Sequence, residues 1–265
     1  MLFTTTKITC IAVGNEVLTF NDSTLSSNLL PAMENLHAAL VSLNLDKQVM
    51  VTTAHNLGIL EVSYPPSRRR IPSGSDAEVV LANPKQIPLD FVLFEGSGIV
   101  DTGSGLHYDN MFHAQIDAVQ SAIEKLGYKN VCLQISETGW PSKGDADEAG
   151  ATPDNARKYN RNLLKLIAEK KGTPMRPNLN LNIYVFALFN ENQKPGPTSE
   201  RNFGLFKPDG TPVYDLGFNV TGLASTNSPS SGGTSGGTMP TVSSPPNGYL
   251  SITADDAVLL MVSYA

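Results

Sequence analysis

The sequence predicts an α/β chain, a parallel sheet of buried strands covered by helices. Three observations carry this. Short apolar runs without polar alternation recur at residues 8–13, 49–53, 130–136 and 181–189. Segments with helical spacing stand between them. Three of the apolar runs end by delivering an acid, at Glu16, Glu137 and Glu191.

In chain order, Ile8 to Val13 reads as the first strand and runs into Gly14-Asn15-Glu16. Asn28 to Leu45 reads as a helix, with Leu29, Leu30, Met33, Leu36, Leu40 and Leu43 at helical spacing. Val49 to Thr53 is a second strand, ending in Ala54-His55-Asn56. Residues 57–108 fit the rhythm poorly: Tyr64-Pro65-Pro66 and Arg68-Arg69-Arg70 break it, and the next strand candidate is Leu89 to Phe94. Asp109 to Leu126 is a second helix, stopped by Gly127. Residues 130–136 form the third strand. Thr152 caps a third helix with Pro153 at its first position and Asn155 to Lys170 as its body. Leu181 to Phe189 is the last strand, and Tyr184, Phe186 and Phe189 read as core.

From about Ser225 the chain becomes rich in Ser, Gly and Pro. This divides it into a main unit, 1–224, and a tail, 225–265. The tail ends in the mildly apolar run Ala257 to Ala265. It has the outline of a GPI-type membrane-anchor signal, and a disordered tail fits the same composition.

Composition narrows the function. The chain has 265 residues, 40% hydrophobic, with Lys+Arg 19 against Asp+Glu 25, a net charge of -6. No basic stripe awaits a phosphate backbone, so nucleic acid is not an expected partner. The four histidines are scattered, so no metal site and no cofactor are expected. Cys10 and Cys132 lie inside strand candidates and read as buried thiols, not a disulfide. The first residues lack the pattern of a signal peptide, and no apolar stretch reaches the ~20 residues of a membrane span.

The candidate chemistry lies at the strand ends. Glu137 follows an apolar run and is followed at once by Gly139, Trp140 and Pro141. That frame presents a carboxylate at the C-terminal end of a buried strand, as α/β barrels do. Trp140, the only tryptophan, offers an indole face suited to a sugar ring. Glu16 is framed in the same way, and Asn15 before it could hydrogen-bond a sugar hydroxyl. Two carboxylates without a metal cluster suit glycoside hydrolysis: one protonates the leaving oxygen and the other meets the anomeric carbon. Glu191, Lys194 and Glu200 read equally as a charge network beside the site and as a solvated loop cluster.

These segments resemble plant β-1,3-glucanases of glycoside hydrolase family 17. The resemblance runs through Ile11 to Val17, Leu30 to Met33, Ser63 to Ser67, Ser136 to Ser142, Lys171 to Pro174, Phe186 to Asn192 and Glu200 to Phe206. It implies a (β/α)8 TIM barrel and retaining endo-hydrolysis of 1,3-β-glucan, with glucan as partner and a monomeric protein. It implies Glu16 as acid/base after the family's fourth strand and Glu137 as nucleophile after the seventh. Glu191, Lys194 and Glu200 would support the site after the eighth, with Asn15 and Trp140 as further substrate contacts. An extracellular, wall-associated or membrane-anchored location is likewise implied.

Only 15 residues precede Glu16, where about 30 residues per strand-helix unit would be needed for each earlier unit. Strands four, five, seven and eight of the family are recognisable. The first three, the signal peptide and an aromatic-rich sixth strand between Pro66 and Leu89 are expected to be missing. An incomplete barrel is therefore the expected fold, and a fragment that binds glucan without cutting it is the alternative function. A phosphate-binding loop or strand-end lysine, which an aldolase-type barrel would want, is not seen.

Overall fold

A computed structural model describes residues 7–60, 66–68, 87–129, 131–217 and 257–263. The elements are β1 (Cys10–Asn15), α1 (Ser23–Ser42), β2 (Met50–His55), α2 (Leu89–Val92), β3 (Ile99–Val100), β4 (His107–Tyr108), α3 (Met111–Lys125), β5 (Cys132–Gly139), α4 (Pro153–Glu169), β6 (Asn182–Val185) and β7 (Ala257–Ser263). Five strands form one sheet in the order β1-β2-β7-β5-β6, and every neighbouring pair is parallel. β3 and β4 make a separate antiparallel pair.

The helices begin and end where local chemistry dictates. Asp22 accepts from the N–H groups of Thr24 and Leu25, so α1 starts earlier than its apolar spacing alone predicts. Asn110 caps α3 by accepting from the His113 N–H. At the other end of α3, Gly127 takes φ +96°. Its N–H meets the Glu124 carbonyl at 3.0 Å while that of Tyr128 meets the Ile123 carbonyl at 3.3 Å. These paired bonds satisfy carbonyls that would otherwise lack partners. Thr152 Oγ1 accepts from the Asn155 N–H at 3.2 Å, with Pro153 opening α4 as expected.

The core lies where α3 and α4 meet β5. Phe112, Ile116, Val119, Leu133, Ile135, Tyr159 and Leu163 are buried there. α1 is covered less: only Leu29 and Leu40 are buried, while Leu25, Leu30, Val41 and Leu43 are exposed.

Four expectations need correction. Leu89 to Phe94 is not a strand. Its start is a helical turn, closed when the Asp90 carbonyl accepts from the N–H groups of both Glu95 and Gly96. The last predicted strand stops at Val185, and Tyr184 and Phe189 are exposed, not core. β6 is the last strand in the sheet order, with a single strand neighbour among the described residues. The tail is not disordered throughout: Ala257–Ser263 is an interior strand between β2 and β5. Residues 218–256, most of the predicted linker, lie outside the described residues, as do Tyr64, Pro65 and the segment expected to have lost a strand. The segments expected as four barrel strands are all present as β1, β2, β5 and β6, and among the described residues the sheet is open, ending at β1 and β6. Cys10 and Cys132 are free and half-buried.

Candidate active site

All five sheet strands run the same way, so their C-terminal ends form one rim. Glu16 follows β1 on that rim. Gly14, at φ +71°, turns the chain, and a Cβ there would meet Val17 Cγ2 at 2.6 Å. Glu16 itself is left-handed, at φ 53° and ψ 24°. A non-glycine residue in this region is strained and must be held by its surroundings. Three bonds hold it. Its N–H donates to the Ala54 carbonyl of β2 at 2.9 Å. Its carbonyl accepts from Thr19 N at 2.9 Å and Thr19 Oγ1 at 2.8 Å. Thr19 is held in turn by Asn56 Nδ2 at 3.0 Å. Asn15 beside it is exposed.

Glu137 lies at a break in the β5 register, between Ile135 and Glu137 toward β7 and between Ile135 and Thr138 toward β6. Such irregularities re-aim a side chain out of the pleat. The next residue is locked: Thr138 is fully buried and its Oγ1 shares a 2.6 Å hydrogen bond with Tyr159 OH.

The loop after β6 brings the remaining charges. Lys194 Nζ is 2.9 Å from Glu200 and 3.8 Å from Glu191. It also lies 4.7 Å from the centroid of the Phe186 ring, a cation–π contact. Glu191 is placed by its N–H donating to the Arg201 carbonyl at 3.2 Å.

These charges act on one carboxyl. Burial pushes Glu137 above the usual glutamate range and the charge of Glu16 pushes it further. Lys194 pulls it back, and Glu191 and Glu200 add to the rise. Glu16, Glu137, Glu191, Lys194 and Glu200 therefore share one electrostatic site. The Lys194 ammonium is held above its ordinary value: burial opposes the charge, and the Glu200 hydrogen bond with the surrounding carboxylates outweighs it.

Trp140 is placed differently from the expectation. It is 7% exposed, packed in the core against Tyr159 at 5.7 Å between ring centroids, and its Nε1 donates to the Gly150 carbonyl at 2.9 Å. The ring is thus engaged by the fold, with little of it left exposed.

Sequence reasoning missed several residues that build the rim. Arg201 Nη1 donates to the carbonyls of Lys194 at 3.1 Å and Gly196 at 2.9 Å, closing the charged loop. Asp145 and Glu148 hold the Thr198–Arg201 turn through Thr198 and Ser199. The Pro195-Gly196-Pro197 turn ahead of Arg201 was the available signal. Phe186, read as core, is half-buried against the buried Phe203 and also carries Lys194 over its ring. His55 ends β2 on the same rim, with a buried Nδ1 that has no hydrogen-bond partner among the described residues and a pKa lowered by burial. Among the described residues no cluster of three His, Cys, Asp or Glu side chains could hold a metal ion.

Residues 1–218 match the family described as "Glycosyl hydrolases family 17". The chain belongs to this family. It is 54% identical over 239 residues to "Glucan endo-1,3-beta-glucosidase 11" of Arabidopsis thaliana, covering 80% of this chain and 56% of that protein. It is 53% identical over 253 residues to "Glucan endo-1,3-beta-glucosidase 10" of the same plant, covering 85% and 60%. Among solved structures it is similar to "CJP38, a beta-1,3-glucanase and allergen of Cryptomeria japonica pollen", with TM-score 0.72 and 39% identity over 81% of this chain and 73% of that one. This family 17 chain thus spans 56% to 60% of the length of those two Arabidopsis relatives. Family and structural neighbour together give the TIM-barrel type of fold, and four of the five parallel strands, β1, β2, β5 and β6, lie within the matched residues.

Proposed function

We propose that the chain acts as an endo-hydrolase of 1,3-β-glucan through a retaining, two-carboxylate mechanism. One observation carries the reading. Glu16 follows β1 and Glu137 stands on β5 at the same C-terminal rim of one parallel sheet, and burial together with the Glu16 charge raises the Glu137 carboxyl. The names of the similar plant proteins supply the substrate class.

In this reading Glu16 donates its proton to the glycosidic oxygen as the bond to the anomeric carbon breaks. The ionised Glu137 carboxylate bonds to that carbon, and the leaving chain departs with the proton. Glu16, now a carboxylate, takes a proton from water. The water oxygen displaces Glu137, restoring both groups and the starting configuration. Lys194 serves the step that needs Glu137 ionised, because it counters the rise that burial and the neighbouring acids impose. In this reading Asn15, exposed beside Glu16, hydrogen-bonds the hydroxyl next to the reacting carbon. Glu191 and Glu200 hold Lys194 in place. The β-glucans of the plant cell wall are the proposed setting.

The test is digestion of a linear 1,3-β-glucan, with products followed by chromatography and the first anomer by NMR. The expected result is release of short oligosaccharides in the β configuration, lost in Glu137→Gln. Retention on insoluble glucan with no products would instead support a binding fragment. Products that begin in the α configuration would remove Glu137 from the nucleophile role.

A further inference from the structure

The two acids of the site do not belong to neighbouring strands. Glu16 follows β1, whose partner is β2, and Glu137 is on β5, whose partners are β6 and β7. In the order β1-β2-β7-β5-β6, β7 is the strand through which the two halves are hydrogen-bonded. Against β5 its register runs from Cys132↔Ala257 through Glu137↔Met261 to Gly139↔Ser263. Against β2 it pairs Ala54↔Leu259 and His55↔Leu260. Ala54 is also the residue whose carbonyl holds the Glu16 N–H. β7 therefore touches the backbone supports of both acids at the level of the rim.

Its composition fits the place. Ala257-Val258-Leu259-Leu260-Met261-Val262-Ser263 has no Gly or Pro and no polar alternation. A strand inside a parallel sheet reads this way. The same apolar character gives the segment the outline of an anchor signal, which is cut away where it operates. Cutting here would remove the middle of the sheet.

We propose that Ala257–Ser263 is a permanent working strand of the catalytic sheet, the element that sets Glu16 opposite Glu137. Its effect on hydrolysis rests on the glucanase reading above, whereas its place in the sheet does not.

Hydrogen–deuterium exchange on the full chain tests the placement directly. Backbone amides of Val258–Val262 should exchange at least about tenfold more slowly than the same residues in an unstructured peptide. A smaller slowing overturns the proposal, as does recovery of the mature protein without these residues. A second measurement uses a chain ending at Asp256. Amides of β2 and β5 should exchange at least about tenfold faster than in the full chain. Hydrolysis of linear 1,3-β-glucan should fall at least about a hundredfold, since pair geometry tolerates little looseness. A synthetic peptide of residues 255–265 should restore both. Unchanged exchange and hydrolysis in the shortened chain overturn the proposal. A protected β7 in a full chain that cuts no glucan upholds the strand and refutes the glucanase reading.

Discussion

Gly139 ends β5 two residues after Glu137, and replacing it with alanine should force β5 away from β6. A Cβ there would lie 1.7 Å from the Phe186 carbonyl oxygen and 2.9 Å from its carbon. Carbon and oxygen approach no closer than about 3.3 Å in ordinary packing, so β5 and β6 must separate locally by roughly 1.6 Å. The bond from Phe186 N–H to the Thr138 carbonyl, 2.8 Å, cannot survive that movement. Overpacking and one lost backbone bond together cost about 2–4 kcal/mol. At about 2–4 °C per kcal/mol for a chain of this size, the melting temperature should fall by roughly 5–15 °C. Gly105 is the control. It has φ +74° and nothing within 4 Å of a built Cβ, so alanine there costs only the left-handed backbone, about 1–2 kcal/mol. Thermal melts by circular dichroism compare the two, and glucan hydrolysis reports the site, because β6 leads to the Lys194 loop. Gly139→Ala melting within about 1 °C of the parent, or less destabilised than Gly105→Ala, would refute the steric argument.

Glu137→Gln should abolish hydrolysis and raise the melting temperature near neutral pH. The folded-state pKa of Glu137 is raised, so its contribution to stability is present at low pH and is lost as pH rises through the folded value. The gain over the parent should therefore vanish on acidification, which melts across a pH series will show. Lys194→Met removes the charge that lowers the Glu137 carboxyl, and the acid limb of the pH–rate profile should move to higher pH. An unmoved limb would separate Lys194 from the titration. Trp140→Phe deletes the bond to the Gly150 carbonyl and should cost about 1–2 kcal/mol of stability while leaving KM for glucan nearly unchanged. A large rise in KM without loss of stability would return Trp140 to the substrate.

Much of the local structure was legible because it is written in neighbouring residues. Thr152 and Pro153 announce α4, Gly127 announces the end of α3, and Gly14 and Gly139 frame the two acids. What could not be read depends on residues distant in the chain. Trp140 follows the acid by three positions, but its fate is decided by Gly150 and Tyr159, which take its N–H and its face. Lys194 was ambiguous in sequence. In the structure Glu191, Glu200 and Phe186 converge on it, and its charge acts on Glu137. β7 was least legible, because strand order in a parallel sheet is not chain order, and an apolar run beyond a Ser/Gly-rich stretch carries no mark of where it pairs. The exposure of Tyr184 reflects the position of β6 at the end of the sheet order, which periodicity cannot report.

The position of β7 also imposes a timetable on synthesis. Both strands that flank it are made before it, and β5 alone precedes it by well over a hundred residues of chain. Until the seven residues of β7 have left the ribosome, β2 and β5 face a gap with unpaired backbone groups on each side. Such open parallel edges form slowly and invite pairing with other chains while they wait. The centre of the sheet is thus completed by the strand that is synthesised last among the described elements.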